Sequence, residues 1–447
     1  MPTGFTSKIA GQRFFYLFTS NLNRETAAFD AFVLYCDLLQ CFLLYISKMD
    51  SFDDYSIITE EEIKELKESI SNQDITSATK TIKEYLEQQD RVELNIAVTG
   101  ESGSGKSRFV NAFRGLGDED EDSAETGVVE TTMEPKAYHH PKYQNVKLWD
   151  LPGIGTPNFK ADEYLKQVQF ERYDFFIIIA SERFRECHIQ LAKEIMRMEK
   201  KFYFVRSKID QDINNESHKR NFDQKKILDQ IRENCINGLK GIGGMDDPVV
   251  FLISGRELSK YDFNLLQEQM ENELPQHKRH VLILSLPNIT LEVNEKKKKA
   301  LKKHIVKVAL VSGGVAAVPV PGLSIAVDLS ILAYEINKYC STFGLDKKSL
   351  KKLCKQSGQS LKTIESLITS VWYKGSITGM ILTQLRLAAL FVTGEVAERI
   401  FSYIPIIGSV VAGGISFVTV YYMLNKALNN IAEDARKVLI AAVNTSE

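Results

Sequence analysis

The sequence lacks paired cysteines. Six cysteines are scattered over the 447 residues, none in a CxxC pair and none at a spacing typical of a metal site: Cys36, Cys41, Cys187, Cys235, Cys340 and Cys354. A disulfide scaffold is therefore not expected, and the pattern is typical of reduced thiols in a cytoplasmic protein.

An excess of charge of either sign is also missing. Lys and Arg number 56 against 58 Asp and Glu, which gives a net charge of −2. Any contact with an acidic membrane must then come from a local patch, and we expect no nucleic-acid partner. The hydrophobic content of 44% and charged content of 26% are ordinary for a globular protein. The length predicts two or three domains.

Long apolar runs are few, and each is interrupted. Residues 308–334 contain two prolines and Asp328, and residues 404–424 carry no charge but contain Pro405 and three glycines. The second run approaches the length of a membrane span, so insertion is the alternative to a buried helix, which we favour for both. Residues 32–46 are short and lack a cleavage pattern, so a secretory signal is not expected.

Four regions differ in their pattern. Residues 1–48 are aromatic and weakly patterned, and they are treated as an N-terminal extension of open status. Residues 49–90 show the apolar spacing of a helical segment. Residues 91–275 alternate strands with helices, which predicts a mostly parallel sheet covered by helices on both faces. Residues 276–447 show no strand pattern and predict a helical domain.

A glycine-rich segment, GESGSGKS, follows an apolar run and precedes a helical pattern. This order of strand, loop and helix predicts a P-loop, whereas a chance glycine turn would need neither flank. Glycines allow backbone N–H groups to point at phosphate oxygens, lysine reaches the β- and γ-phosphates, and serine ligates Mg²⁺. The predicted phosphate-binding residues are Gly100, Glu101, Ser102, Gly103, Ser104, Gly105, Lys106 and Ser107.

A second motif, Asp-Leu-Pro-Gly, stands at the end of a predicted strand. Asp150 can hold a water molecule on Mg²⁺, and the N–H group of Gly153 can meet the γ-phosphate. The segment would thus respond to hydrolysis. Mg²⁺ is the predicted cofactor.

The third motif indicates the base. Ser207, Lys208 and Asp210 follow a predicted strand, and the carboxylate can accept both N–H groups of the guanine edge while the lysine stem covers the ring. Adenine offers no matching pair of donors. Ser254 follows the next strand, where a backbone contact to the guanine oxygen is expected. These residues favour GTP or GDP over ATP.

Catalysis is less well determined by the sequence. Small GTPases orient the attacking water with a glutamine next to the Asp-x-x-Gly motif, but here Ile154 stands in that place. Hydrolysis is then either slow or completed by another residue, for which a second molecule is one source. The candidate is Glu130, and the alternative is a solvent-exposed loop glutamate.

Together these motifs resemble the interferon-inducible immunity-related GTPases, in the branch with lysine in the P-loop. The resemblance is close over about residues 50–300 and looser beyond, and it rests on six segments: GESGSGKS, TGVVETTM, LWDLPGIGTPNF, YDFFIIIASERF, FYFVRSKID and LPQHKRHVLILSLPNIT. It implies a GTP-hydrolysing G domain together with an all-α domain built from the N- and C-terminal parts.

The resemblance also implies how such a protein acts. It implies homo- or hetero-oligomers that form through the nucleotide face and accelerate hydrolysis. It further implies a cytoplasmic protein that associates peripherally with endomembranes or pathogen-containing vacuoles in cell-autonomous immunity. A nucleotide-dependent scaffold with little turnover and a non-immune paralogue are the alternatives.

By position, the resemblance assigns roles to four residues. Glu130 matches a switch glutamate tied to assembly-dependent hydrolysis, Thr126 and Thr132 match switch threonines, and Arg183 matches a basic residue of the nucleotide-facing interface. Catalysis is accordingly assigned to Lys106, Glu130 and Gly153.

A run of lysines between residues 296 and 303 has two interpretations. It is either a solvated helix face or a contact with anionic lipid headgroups.

Overall fold

The computed structural model describes most of the chain beyond residue 74. The described residues are 65, 68, 75–89, 92–126, 134–154, 160–182, 184–240, 242, 248–316, 323–374 and 405–443.

A six-stranded sheet forms the centre of the described structure. Its strands are β1 (Leu94–Gly100), β2 (Lys136–His139), β3 (Val146–Asp150), β4 (Phe175–Ala180), β5 (Lys201–Arg206) and β6 (Val250–Leu252). They lie in the order β2-β3-β1-β4-β5-β6, and every neighbouring pair is parallel except β2 with β3. The predicted mostly parallel sheet is confirmed. Strand β2 was not predicted, because its four residues are only partly buried and form no apolar run.

Helices account for most of the remaining described residues. In chain order they are α1 (Ile75–Gln89), α2 (Lys106–Phe113), α3 (Ala161–Gln167), α4 (Glu186–Arg197), α5 (Ile209–Ser217), α6 (Gln224–Leu239), α7 (Phe263–Glu273), α8 (Gln276–Ser285), α9 (Leu291–Ala316), α10 (Leu323–Thr342), α11 (Lys347–Ser357), α12 (Leu361–Leu367), α13 (Val371–Lys374) and α14 (Pro405–Val443).

Both faces of the sheet are covered, as predicted. Ile96 and Val98 of β1 pack into one apolar core with Phe113 of α2, while Ala97 between them packs into a second core with Leu191 of α4. Strand β4 is buried at all six positions, as expected for a central strand between two helical layers.

Contacts divide the chain into two compact units. The first, here called the G unit, comprises Gln89–Ala300 and Ser341–Gln359 together with the chain from Val438. It holds the sheet. The second, here called the helical unit, comprises Leu301–Cys340 and Ser360–Lys437 with the chain up to Gln88, and its described elements are all helices.

The two apolar runs of the C-terminal half belong to helices. Residues 308–334 contribute to α9 and α10, and residues 405–424 begin α14, which starts at Pro405. Val420 and Leu424 are fully buried in this helix. No helix in the described part of the chain is both long and apolar enough to cross a membrane.

Two lysines of the basic run have roles in packing. Lys296 pairs with Glu271 at 3.3 Å. Lys297 is 2% exposed, and its Nζ donates to Asn288 Oδ1 at 2.7 Å and to the carbonyl of Thr342 at 3.0 Å. Burial lowers the pKa of Lys297 well below its ordinary value. Lys298 is half-buried, and the exposed lysines of the run are Lys299, Lys302 and Lys303.

Candidate nucleotide-binding site

The glycine-rich loop has a conformation that requires glycine at three positions. Gly103 and Gly105 have φ angles of 73° and 93°, in the left-handed region. At Gly100 a Cβ atom would lie 2.0 Å from the carbonyl oxygen of Ile179 on the neighbouring strand. The loop therefore turns tightly between β1 and α2, as a phosphate-binding loop must.

Lys106 is the first residue of α2 and lies beneath the loop. Its Nζ donates to the carbonyls of Gly100 at 3.3 Å and Glu101 at 3.0 Å, and the side chain is 8% exposed. A buried cation at a helix N-terminus strongly favours an anion beside it. The arrangement suits a nucleotide phosphate.

Two of the predicted metal-binding residues are in contact. Ser107 Oγ, in the first turn of α2, donates to Asp150 Oδ2 at the end of β3, at 2.6 Å. The parallel pairing of β1 with β3 places Asp150 opposite Val98, close to the start of the loop. Hydroxyl and carboxylate oxygens are the ligands that Mg²⁺ prefers, so the residues fit the predicted ion.

The segment after Asp150 is fixed at both ends. Tyr164 donates its hydroxyl to the carbonyl of Pro152 at 3.0 Å, and the N–H of Ile154 donates to the carbonyl of Gly100 at 3.0 Å. Gly153 lies between these two anchors. The Ile154 side chain is 3% exposed and belongs to an apolar core, so it neither reaches a phosphate nor orients water.

The predicted base-binding residues lie at the same edge of the sheet. Ser207 Oγ donates to the carbonyl of Ser104 at 2.6 Å and thereby joins the base segment to the phosphate loop. Lys208 has a φ of 59°, an uncommon conformation for a residue other than glycine, and Asp210 lies in the first turn of α5. Ser254 is buried, and its Oγ accepts N–H groups two and three residues further on.

Two residues missed by the sequence reasoning contact the loop. Arg185 Nε lies 3.3 Å from Glu101 Oε1, and the Cys187 thiol donates to the same oxygen at 3.5 Å. Burial, assisted by the charge of Glu101, raises the pKa of Cys187 to about 11, so this thiol stays protonated. Neither residue belongs to a recognisable motif, and only their position after β4 could have drawn attention to them.

His188 completes a cluster with Glu101 and Cys187. One potential metal-ligand atom from each lies within 4.8 Å of the others. Burial lowers the pKa of His188 to about 4, and its Nδ1 accepts the backbone N–H of Arg185 at 3.1 Å. Since the Glu101 carboxylate already pairs with Arg185 and the Cys187 thiol stays protonated, we assign no metal to the cluster.

The segment that leads to Thr126 and Glu130 is connected to α2 by side-chain contacts. Arg108 pairs with Asp118 at 2.7 Å. The Asn111 side chain exchanges two hydrogen bonds with the backbone of Ala124, at 2.9 and 2.6 Å. Thr126, two residues later, is exposed. The chain directly before Thr126 is thus fixed to the helix that carries Lys106 and Ser107.

Some predicted residues lie outside the described part of the chain. These are Glu130, Thr132 and Arg183. Within the loop itself, Ser102 and Gly103 are exposed, whereas Ser104 is buried.

Comparison with known proteins agrees with this geometry. The family model of the interferon-inducible GTPases (IIGP) matches residues 59–442. The chain belongs to the interferon-inducible GTPase family. It is therefore a GTP-binding, immunity-related GTPase, and the predicted family, fold class and GTP hydrolase activity are confirmed, while the predicted branch within the family stays a prediction.

Relatives in two mammals align with most of the chain. Interferon-inducible GTPase 5 of Bos taurus is 45% identical over 395 residues, which cover 88% of this chain and 84% of the relative. Interferon-gamma-inducible GTPase 10 of Mus musculus is 39% identical over 394 residues, covering 88% and 91%. Among solved structures, Toc33 from Arabidopsis thaliana in complex with Mg²⁺ and GMPPNP aligns at 13% identity with a TM-score of 0.28, over 40% of this chain and 78% of that chain.

Proposed function

We propose that this family member is an assembly-activated GTPase whose hydrolysis is completed when two or more copies meet through their nucleotide faces. The observation that carries the proposal is the burial of Ile154 in an apolar core, in the place where small GTPases orient water. A site with a formed phosphate loop but no water-orienting group beside the Asp-x-x-Gly motif needs that group from elsewhere.

The described contacts support a division of roles within the site. The glycine-rich loop and Lys106 bind the phosphates, and Ser207, Lys208, Asp210 and Ser254 surround the base. Ser107 and Asp150, which share a 2.6 Å hydrogen bond, would hold Mg²⁺, the aspartate through water. When bound, the ion neutralises phosphate charge. Gly153, between its two anchors, offers its N–H to the γ-phosphate.

Assembly supplies the remaining roles. Glu130 acts in hydrolysis, Thr126 and Thr132 respond to the nucleotide, and Arg183 contributes to the interface between copies. The hydrogen bonds of Asn111 to Ala124 support this assignment, because they connect α2 to the segment that carries Thr126 and Glu130.

The proposed place of action is the cytoplasmic surface of endomembranes or pathogen vacuoles, in cell-autonomous immunity. The exposed lysines of the basic run support a peripheral contact with anionic lipid, although Lys296 and Lys297 are engaged in packing.

GTP turnover measured over a range of protein concentrations tests the proposal. We expect the rate per molecule to rise with concentration for the wild type. Glu130→Ala should bind GTP normally and lose the rise. Glu134→Ala is the matched control, because Glu134 is an exposed glutamate beyond the same loop, and it should behave as the wild type. A flat and negligible wild-type rate would instead favour a nucleotide-dependent scaffold with little turnover.

A further inference from the structure

Helix α11 has an unusually one-sided charge. Its eleven residues, KKSLKKLCKQS, include five lysines and no acidic residue or arginine, in a chain whose net charge is −2. Asp346 caps its N-terminus by accepting the N–H of Ser349, and Gly358 ends it in a left-handed conformation. The helix is therefore well defined and strongly basic.

One face of α11 is fixed within the G unit. Lys352 Nζ donates to the carbonyl of Gly115 at 2.5 Å and pairs with Asp120 at 2.6 Å. Leu350 is fully buried on the same helix. Near its N-terminus, Lys142 pairs with Asp346 at 2.8 Å. These contacts hold α11 against the loop that follows α2.

The other face presents a stripe of four ammonium groups, here called the α11 stripe. The residues lie at helical positions i, i+1, i+4 and i+8, and all are exposed: Lys347, Lys348, Lys351 and Lys355. In contrast with Lys352, none of them forms an ion pair with a described residue, although the charge of Lys348 acts on Asp120 at longer range. Like charges four residues apart destabilise a helix, so the stability of α11 does not explain this arrangement.

We propose that the α11 stripe binds the anionic headgroups of a phospholipid membrane. The inference rests on the membrane part of the proposed function and gives it a surface. Eight residues of helix span about 12 Å, enough to meet several headgroups at once. Clustered lysines on a helix are typical of attraction to an anionic leaflet.

The composition of the stripe favours lipid over nucleic acid. Arginine, which binds phosphate in a bidentate way, and exposed aromatic rings, which stack on bases, are both missing from α11.

The position of the α11 stripe connects the membrane contact with the nucleotide site. Because Lys352 holds the loop between α2 and Thr126, membrane contact through the stripe would fix the orientation of the nucleotide site relative to the lipid surface.

The test measures the affinity of the full-length protein, loaded with GDP, for vesicles. Phosphatidylcholine vesicles are compared with phosphatidylcholine vesicles that contain phosphatidylserine. The variant combines Lys347→Gln, Lys351→Gln and Lys355→Gln. The matched control removes three exposed lysines of the same unit through Lys225→Gln, Lys226→Gln and Lys240→Gln.

The stripe variant should lose affinity for the serine-containing vesicles by on the order of 100-fold. Each lysine near an anionic surface raises the affinity by about fivefold, and the variant removes three of them. The control should stay within about twofold of the wild type, because its lysines lie outside the stripe. GDP affinity should be equal in all proteins and shows that they are folded. Where the triple variant is unstable, Lys351→Gln alone should lower the affinity about fivefold.

Three results would overturn the inference. Equal losses in the stripe variant and the control would indicate an effect of net charge only. Undiminished binding in the stripe variant would place the membrane contact elsewhere and leave the membrane part of the proposed function standing. A wild type that binds labelled RNA but no vesicle would overturn both the inference about the stripe and the membrane part of the proposed function. The assembly part of the proposed function would still be tested separately, by the dependence of GTP turnover on protein concentration.

Discussion

The G unit and the helical unit both bury a charged side chain, but the two side chains have different hydrogen-bond partners. In the G unit, the buried ammonium of Lys106 lies at the N-terminus of α2 and donates hydrogen bonds to two carbonyls of the loop. In the helical unit, the buried carboxylate of Asp328 accepts hydrogen bonds from Ser312 Oγ at 2.5 Å and Ser416 Oγ at 2.8 Å.

The partners explain the difference. Lys106 sits where several backbone N–H groups and a helix dipole favour an anion, so its charge is arranged for a ligand. Asp328 has two hydroxyl donors and no cation among its described contacts, and burial raises its pKa to about 6. Its hydrogen bonds connect α9, α10 and α14. One buried charge is thus prepared for binding, and the other joins three helices at a cost in stability when ionised.

The largest effect is expected from Lys106→Ala. Removing one member of a buried charge pair costs about 2–5 kcal/mol, so GTP affinity should fall by roughly 30-fold or more. A fluorescent GTP analogue measures this directly. Lys219→Ala is the control, since Lys219 is exposed and pairs with Glu216, which lies three residues before it, and it should bind normally. Retained affinity in Lys106→Ala would show that the buried cation is structural and would remove the contrast with Asp328.

Asp328→Asn should change stability instead of binding. The folded-state pKa of about 6 lies above the ordinary 3.8, so the stabilisation is fully present below pH 4 and is lost as the pH rises through 6. This difference between the two pKa values corresponds to about 3 kcal/mol in the free energy of unfolding. In urea unfolding between pH 4 and 7.5, the wild type should therefore lose more stability than the variant as the pH rises. Parallel pH profiles of the two proteins would contradict this account.

The smallest effect is expected from Ser207→Ala. Loss of its hydrogen bond to the carbonyl of Ser104 should cost about 1 kcal/mol, and guanine-nucleotide affinity should fall about fivefold. Ser207→Thr keeps the hydroxyl and should bind as tightly as the wild type. If both variants lost affinity equally, packing of the side chain would matter more than its hydrogen bond.

Motifs of fixed spacing allowed the site to be anticipated. The phosphate loop, Asp150 and the segment from Ser207 to Asp210 each lie at the end of a strand or directly after it, and parallel strands bring their carboxyl ends to one edge of the sheet. The contacts of Ser107 with Asp150 and of Ser207 with Ser104 follow from that topology.

Contacts between residues distant in sequence could not be anticipated in the same way. Arg185 and Cys187 meet Glu101 only because α4 starts beside the loop, and no local pattern records this. Lys296 and Lys297 read as part of one basic run, yet their partners Glu271 and Thr342 are distant in sequence. Burial of a lysine depends on such partners, and composition does not reveal them.

The central claim is that GTP brings copies of the protein together through their nucleotide faces. Sedimentation velocity of the full-length protein, with GDP and with a non-hydrolysable GTP analogue, tests it most directly. We predict monomers with GDP, larger assemblies with the analogue, and only monomers for Lys106→Ala in either nucleotide. Identical sedimentation of the wild type in GDP and in the analogue would contradict the account.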